Sequence, residues 1–189
     1  MVFLGDSLTA GYGLEEAEGF PARVGAELGR RGVAVRVVNA GVSGDTTAGG
    51  LARLDWLLAQ RPRILVVGLG ANDGLRGLSL GHTEANLREI VRRARAAGVA
   101  VLLLGMRIPP NYGADYSGEF AALYPRLARE LAVPLVPFLL DGVAARPELN
   151  LPDGIHPTAE GQARVAENVV PLLEPLVRHL PAQPALPAP

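Results

Sequence analysis

The 189-residue chain is 49% hydrophobic, enough for one sizeable core, and its net charge of −1 gives nucleic acid or an anionic membrane no electrostatic purchase. It has no cysteine and all 18 basic residues are arginine, which excludes disulfides, thiolate nucleophiles, Schiff-base lysines and phosphate-loop lysines. The three histidines, His82, His156 and His179, are never spaced as H-E-x-x-H, so neither a metal nor a cofactor is expected.

The first predicted strand is VFLG (2–5), short for a central strand, which suggests further residues upstream of Met1. It runs into GDSLTAGYG, which taken alone reads first as a helix cap by Asp6 and Ser7 and second as a Ser7 nucleophile at a strand end. VAVRVVN (33–39) is the second predicted strand, followed by the loop NAGVSGDTT. Leu51, Leu54 and Leu58 then form a helical stripe. RILVVGLG (63–70) is the third strand and leads to GANDGLRG. Leu87, Ile90, Val91 and Ala94 predict a helix over 83–97, with His82 before it or capping it. VAVLLLG (99–105) is the fourth strand and leads to GMRIPPNYG. Phe120, Leu123 and Leu127 mark the next helix, VPLVPF (133–138) the fifth strand, and LPDGIHPTAEG the loop beyond it. Val169, Leu172 and Leu176 give the last helix an apolar stripe, with His179 at the end where a cation suits the dipole. The tail PAQPALPAP (181–189) is expected to be disordered.

Near-continuous apolar strands alternating with amphipathic helices imply a flavodoxin-like, three-layer α/β/α sandwich on a five-stranded parallel sheet, one domain over 1–180. No apolar run reaches the ~20 residues of a membrane helix. The N-terminus shows no basic segment followed by an apolar one, so the compartment is cytoplasmic unless an upstream leader was removed, in which case it is periplasmic or extracellular. A monomer without a membrane anchor is expected.

In such sheets ligands bind beyond the carboxyl ends of the strands. The loops there hold Ser7, and His156 is the histidine placed to reach the same edge. Asp153, three residues before His156 in a turn, can fix the ring tautomer. Acyl transfer also needs oxyanion donors. The amides of Ser7 and Gly44 and the side chain of Asn72 are the candidates. Each also has a plain alternative: Gly44 as a turn glycine, Asn72 and Asp153 as turn residues, His156 as a surface residue before the last helix. Asp6, Asp45 and Asp73 read as loop braces or caps.

GDSLTAGYG, NAGVSGDTT, GANDG and DGIHP resemble, in order and approximate spacing, the four motif blocks of the GDSL or SGNH hydrolases. The resemblance runs from Met1 to about Leu180 and places Ser7, Gly44, Asn72 and His156 at the four named positions, with Asp153 as the acid. SGDTTAGGLARL, NDGLRG and RIPPNYG are similar to the bacterial multifunctional thioesterase, protease and lysophospholipase (arylesterase) group, which implies hydrolysis of acyl esters and thioesters. Residues alone give a serine acyl hydrolase acting on a small-molecule acyl ester, with carbohydrate O-deacetylase or acyltransferase as the alternative on the same fold. Leu75, Leu78, Ile108, Pro109, Pro110 and Tyr112 fall in loops and are expected to wall an apolar acyl groove, or else to pack those loops onto the sheet.

Overall fold

A computed structural model describes residues 1–180; the tail expected to be disordered, 181–189, lies outside the described residues. Five parallel strands form the sheet: β1 (Val2–Gly5), β2 (Val38–Gly41), β3 (Ile64–Gly68), β4 (Ala100–Leu104) and β5 (Leu135–Val136), in the order β2-β1-β3-β4-β5. The helices are α1 (Ser7–Ala10), α2 (Phe20–Arg30), α3 (Thr47–Ala52), α4 (Leu54–Ala59), α5 (Ala71–Leu75), α6 (Leu80–Ala96), α7 (Ala114–Leu131) and α8 (Ala159–His179). α2 packs on α8, while α6 packs on both α3 and α7, and the sheet is buried between these groups. This is the expected three-layer α/β/α arrangement. No helix among the described residues is long and apolar enough to cross a membrane.

Strand order reverses at β1, whose neighbours are β2 and β3. The connection leaving β1 leads to α2 on one face and that leaving β3 leads to α6 on the other, and the crevice between them is where such sheets bind ligands. The expected 33–39 strand is displaced to Val38–Gly41, because Val38 is already paired with Val2 and residues 33–37 have no ladder partner. β5 shrinks to two residues because Pro134 and Pro137, on either side, cannot donate to a ladder.

Two helical expectations also change. The 51–58 stripe is split at Arg53 into α3 and α4, so Leu54 and Leu57 are buried while Leu51 and Leu58 are half-buried. On α8 the buried face runs through Val165, Val169 and Leu173, and Leu172 is exposed. The spacing i, i+4, i+8 carries that stripe one residue past Leu172. His82 lies inside α6, three residues after its cap Ser79, rather than ahead of the helix.

Glycines open the carboxyl edge. Gly5 pairs with Gly41 on one side and Gly68 on the other, a row across three strands. A Cβ on Gly5 would sit 2.0 Å from Thr9 Oγ1, and one on Gly41 2.3 Å from the Ala10 amide nitrogen. α1 therefore lies directly on the strand ends only because that row has no side chains.

Candidate active site

Of the two roles that their sequence context left open, the cap falls to Asp6. Asp6 is the N-cap of α1, its Oδ1 accepting the Leu8 amide at 3.0 Å. Ser7 is the first residue of that helix, and the left-handed Gly11 ends it one turn later. The Ser7 hydroxyl thus stands on a short, fixed turn at the end of β1. Asp6 is buried, and the loss of solvation pushes its carboxyl up to about 7, against the opposing Leu8 hydrogen bond.

His156 arrives from the far edge of the sheet. α8 crosses back to pack on α2, and its buried Gln162 clamps the first motif: Nε2 donates to the Leu8 carbonyl and Oε1 accepts the Phe20 amide. The loop before α8 is closed by the Leu151 amide donating to the His156 carbonyl at 2.7 Å and by an Asn150–Pro157 bridge. Within it Asp153 does two things. Its Oδ1 accepts the amides of Ile155 and His156, both at 3.0 Å, and its Oδ2 accepts from His156 Nδ1 at 2.8 Å. The Ile155 amide, followed by the bonds from His156, pulls the Asp153 carboxyl down to about 2. An ionised carboxylate can only accept, so Nδ1 carries the proton. Nε2 of the neutral ring is then the lone pair facing Ser7 Oγ, 2.9 Å away. Ser7, His156 and Asp153 form one continuous hydrogen-bonded chain.

Gly44 sits in the loop after β2 and Asn72 in the first turn of α5 after β3, flanking Ser7 as the strand order requires. Gly44 has φ +79°, a conformation that favours glycine. Among the described residues neither its amide nor that of Ser7 donates to a protein acceptor. Asn72 Nδ2 donates to the Asp45 carbonyl at 2.9 Å and lies 3.5 Å from Asp6 Oδ2, which ties its loop to Gly44's. The next residue, Asp73, is buried and accepts from the Thr47 amide and from the hydroxyls of Thr47 and Thr83, fixing the start of α5 against α3. Backbone amides and a carboxamide at one strand edge are what a developing oxyanion requires.

Of the six residues expected to line a groove from loops, Leu75 instead ends helix α5 and the other five lie in the connections after α5 and β4, and they are not equivalent. Leu78, Pro109, Pro110 and Tyr112 are exposed and Leu75 is half-buried. Ile108 is buried, filling with Phe120 the space above Gly74, where an added Cβ would meet it at 2.6 Å. Tyr112 and Tyr116 donate their hydroxyls to the carbonyls of Leu75 and Leu78, tying the two loops together.

Other residues were not singled out by the sequence pattern. Tyr12 lies over His156 with ring centroids 4.4 Å apart and planes inclined at 33°. It follows Gly11 in GDSLTAGYG, and its place in that motif loop was the available signal. Tyr12, Val42, Leu78, Tyr112 and Ile155 are exposed large apolar side chains, each in a motif loop or in a loop after one of the first four strands. All five lie in connections that follow the carboxyl ends of the strands.

The GDSL-like lipase/acylhydrolase family matches residues 3–164. The chain belongs to this family. It is 45% identical to Esterase TesA of Pseudomonas aeruginosa over 94% of this chain and 89% of that one. It is 43% identical to thioesterase 1/protease 1/lysophospholipase L1 of Escherichia coli K12 over 95% of this chain and 85% of that one. The structure of a psychrotrophic esterase, EstA, from Pseudoalteromonas sp., inhibited by monoethylphosphonate, superposes with a TM-score of 0.88 at 31% identity, covering 94% of this chain and 98% of that one. As a member of this GDSL family the protein is a serine hydrolase of carboxylic esters and thioesters.

Proposed function

We propose that the protein hydrolyses arylesters, acyl-CoA thioesters and lysophospholipids through an acyl-enzyme on Ser7. The observation that carries this reading is the unbroken chain from Ser7 Oγ through His156 to Asp153, at 2.9 and 2.8 Å. In the first half-reaction Ser7 Oγ attacks the acyl carbonyl while His156 Nε2 takes its proton. The carbonyl oxygen becomes an oxyanion held by the amides of Ser7 and Gly44 and by Asn72 Nδ2. The intermediate collapses to the Ser7 ester, and His156 returns the proton to the departing alkoxide or thiolate. Water, deprotonated by His156, then releases the fatty acid and restores the serine.

The apolar rim supports an acyl chain rather than a sugar as the group recognised. Leu75, Leu78, Pro109, Pro110 and Tyr112 form one wall of the acyl groove in this reading, with Ile108 supporting it from below. Tyr12, Val42 and Ile155 face it from the other loops. Each methylene buried there contributes up to ~0.8 kcal/mol until the groove ends. A rate profile over nitrophenyl esters and acyl-CoA esters of graded length tests this. kcat/KM should climb over the first several carbons and then level off, and Ser7→Ala should abolish turnover of every substrate. A profile that is highest for acetyl and falls steadily with chain length would overturn the groove, and a Ser7→Ala variant with near wild-type turnover would overturn the mechanism.

A further inference from the structure

One side chain bonds to the segments that carry two of the three proposed oxyanion donors and to the residue whose carbonyl holds the third. The 47–59 helical stretch breaks at Arg53, whose backbone leaves the helix at φ −100° and ψ 3°. Its guanidinium turns toward the carboxyl edge of the sheet and makes three bonds in three directions. Nη2 donates to the Gly5 carbonyl at 3.1 Å, Nη1 to the Ala40 carbonyl at 2.7 Å, and Nε to Asp45 Oδ2 at 2.8 Å. The last is an ion pair that leaves only about a quarter of the arginine side chain exposed and a tenth of the aspartate.

Two of those contacts lie one short step from a proposed donor. Gly5 is the residue before the Asp6–Ser7 turn, and its carbonyl also accepts the Val42 amide from the loop that holds Gly44. Asp45 is the residue after Gly44, and its own carbonyl is the acceptor for Asn72 Nδ2. The carbonyls of Gly5 and Ala40 belong to adjacent paired strands, so one planar fork spans the β1–β2 edge. A guanidinium can hold three acceptors at fixed mutual angles, whereas an ammonium is a single flexible point charge.

We propose that Arg53 is a positioning residue for the oxyanion hole, setting the spacing of the Ser7 amide, the Gly44 amide and Asn72 Nδ2 without touching substrate. The proposal rests on the assignment of those three donors. A misplacement of about 1 Å at such a site costs up to ~10²-fold in rate. Arg53→Lys keeps the charge and loses the fork, so it should lower kcat by about tenfold to a hundredfold with KM within twofold, since the loss falls on the transition state. Affinity for a short alkylboronic acid, whose Ser7 adduct is a tetrahedral anion, should weaken by a similar factor. Adding Arg53→Lys to Asn72→Ala should cost less than adding it to the wild type, because the two act on the same oxygen. Guanidinium ion, well below denaturing concentration, should restore part of the activity of Arg53→Ala in a saturable way. A purely structural brace would lower Tm and leave the kcat/KM split, the boronate affinity and the double-mutant coupling unmoved. Folded Arg53→Lys protein with kcat within threefold of wild type, or with additive effects, overturns the proposal. If Asn72→Ala itself keeps full kcat, the donor assignment fails instead, and the two failures are thereby told apart.

Discussion

Asp153 makes two kinds of bond that a single truncation would confuse, and they separate cleanly with two substitutions. Oδ1 shapes the turn by accepting the Ile155 and His156 amides, and Oδ2 holds His156 Nδ1. Asp153→Ala removes both. Two exposed backbone bonds at about 0.5 to 1.5 kcal/mol each put the loss of turn stability at roughly 1 to 3 kcal/mol. Asp153→Asn keeps a carbonyl oxygen for the amides and therefore the turn. It loses the negative charge that pulls Nδ1–H toward it, so the ring is free to place its proton on Nε2, facing Ser7. A histidine in that tautomer cannot accept the serine proton, and the comparable change in a serine protease triad costs about 10⁴ in kcat. Steady-state kinetics on one nitrophenyl ester, with Tm measured in parallel, should show Asp153→Asn with near wild-type Tm and kcat down about 10³- to 10⁴-fold. If Asp153→Asn stays within tenfold of wild type while Asp153→Ala collapses, Asp153 only shapes the turn and the orienting role is wrong.

Asn72→Ala should lower kcat about 10²- to 10³-fold with KM little changed, and a variant that lost only affinity would place Asn72 in ground-state binding. Tyr12→Ala should reduce kcat by roughly twofold to tenfold, the scale of one aromatic contact, with Tyr12→Phe close to wild type; equal loss in both variants would point to the hydroxyl rather than the ring. Burial holds the Asp6 carboxyl near about 7, whereas an unfolded aspartate titrates near ~4. The folded state therefore keeps a proton that the unfolded chain has lost between those values. Its contribution to stability is full below ~4 and gone above about 7, so Tm should fall as pH rises from 5 to 8. Asp6→Asn should flatten that fall, and parallel Tm curves for the two proteins would contradict the buried carboxyl.

The fold class and the four motif loops were legible because they depend on local signals: apolar runs of strand length, helical stripes, and turn residues at the ends of strands. What local pattern could not show was set by partners distant in sequence. Val33, Val35 and Val37 read as strand, but pairing starts at Val38 because that is where β1 offers a partner. Arg53 reads as one polar position on a helix, and only the meeting of Gly5, Ala40 and Asp45 explains why the helix breaks there. Ile108 sits in a loop by sequence and in the core by packing, because Gly74 leaves a space that it fills. Tyr12 is an ordinary turn residue until α8 brings His156 beneath it.

That Ser7 is the nucleophile can be tested by covalent labelling with a serine-reactive alkyl phosphonate, read by intact mass and peptide mapping. One phosphonyl group should be gained per chain, on the peptide containing Ser7, with esterase activity lost in proportion and no label on Ser7→Ala. Stoichiometric labelling at another residue, or full inactivation with Ser7 unmodified, would contradict it.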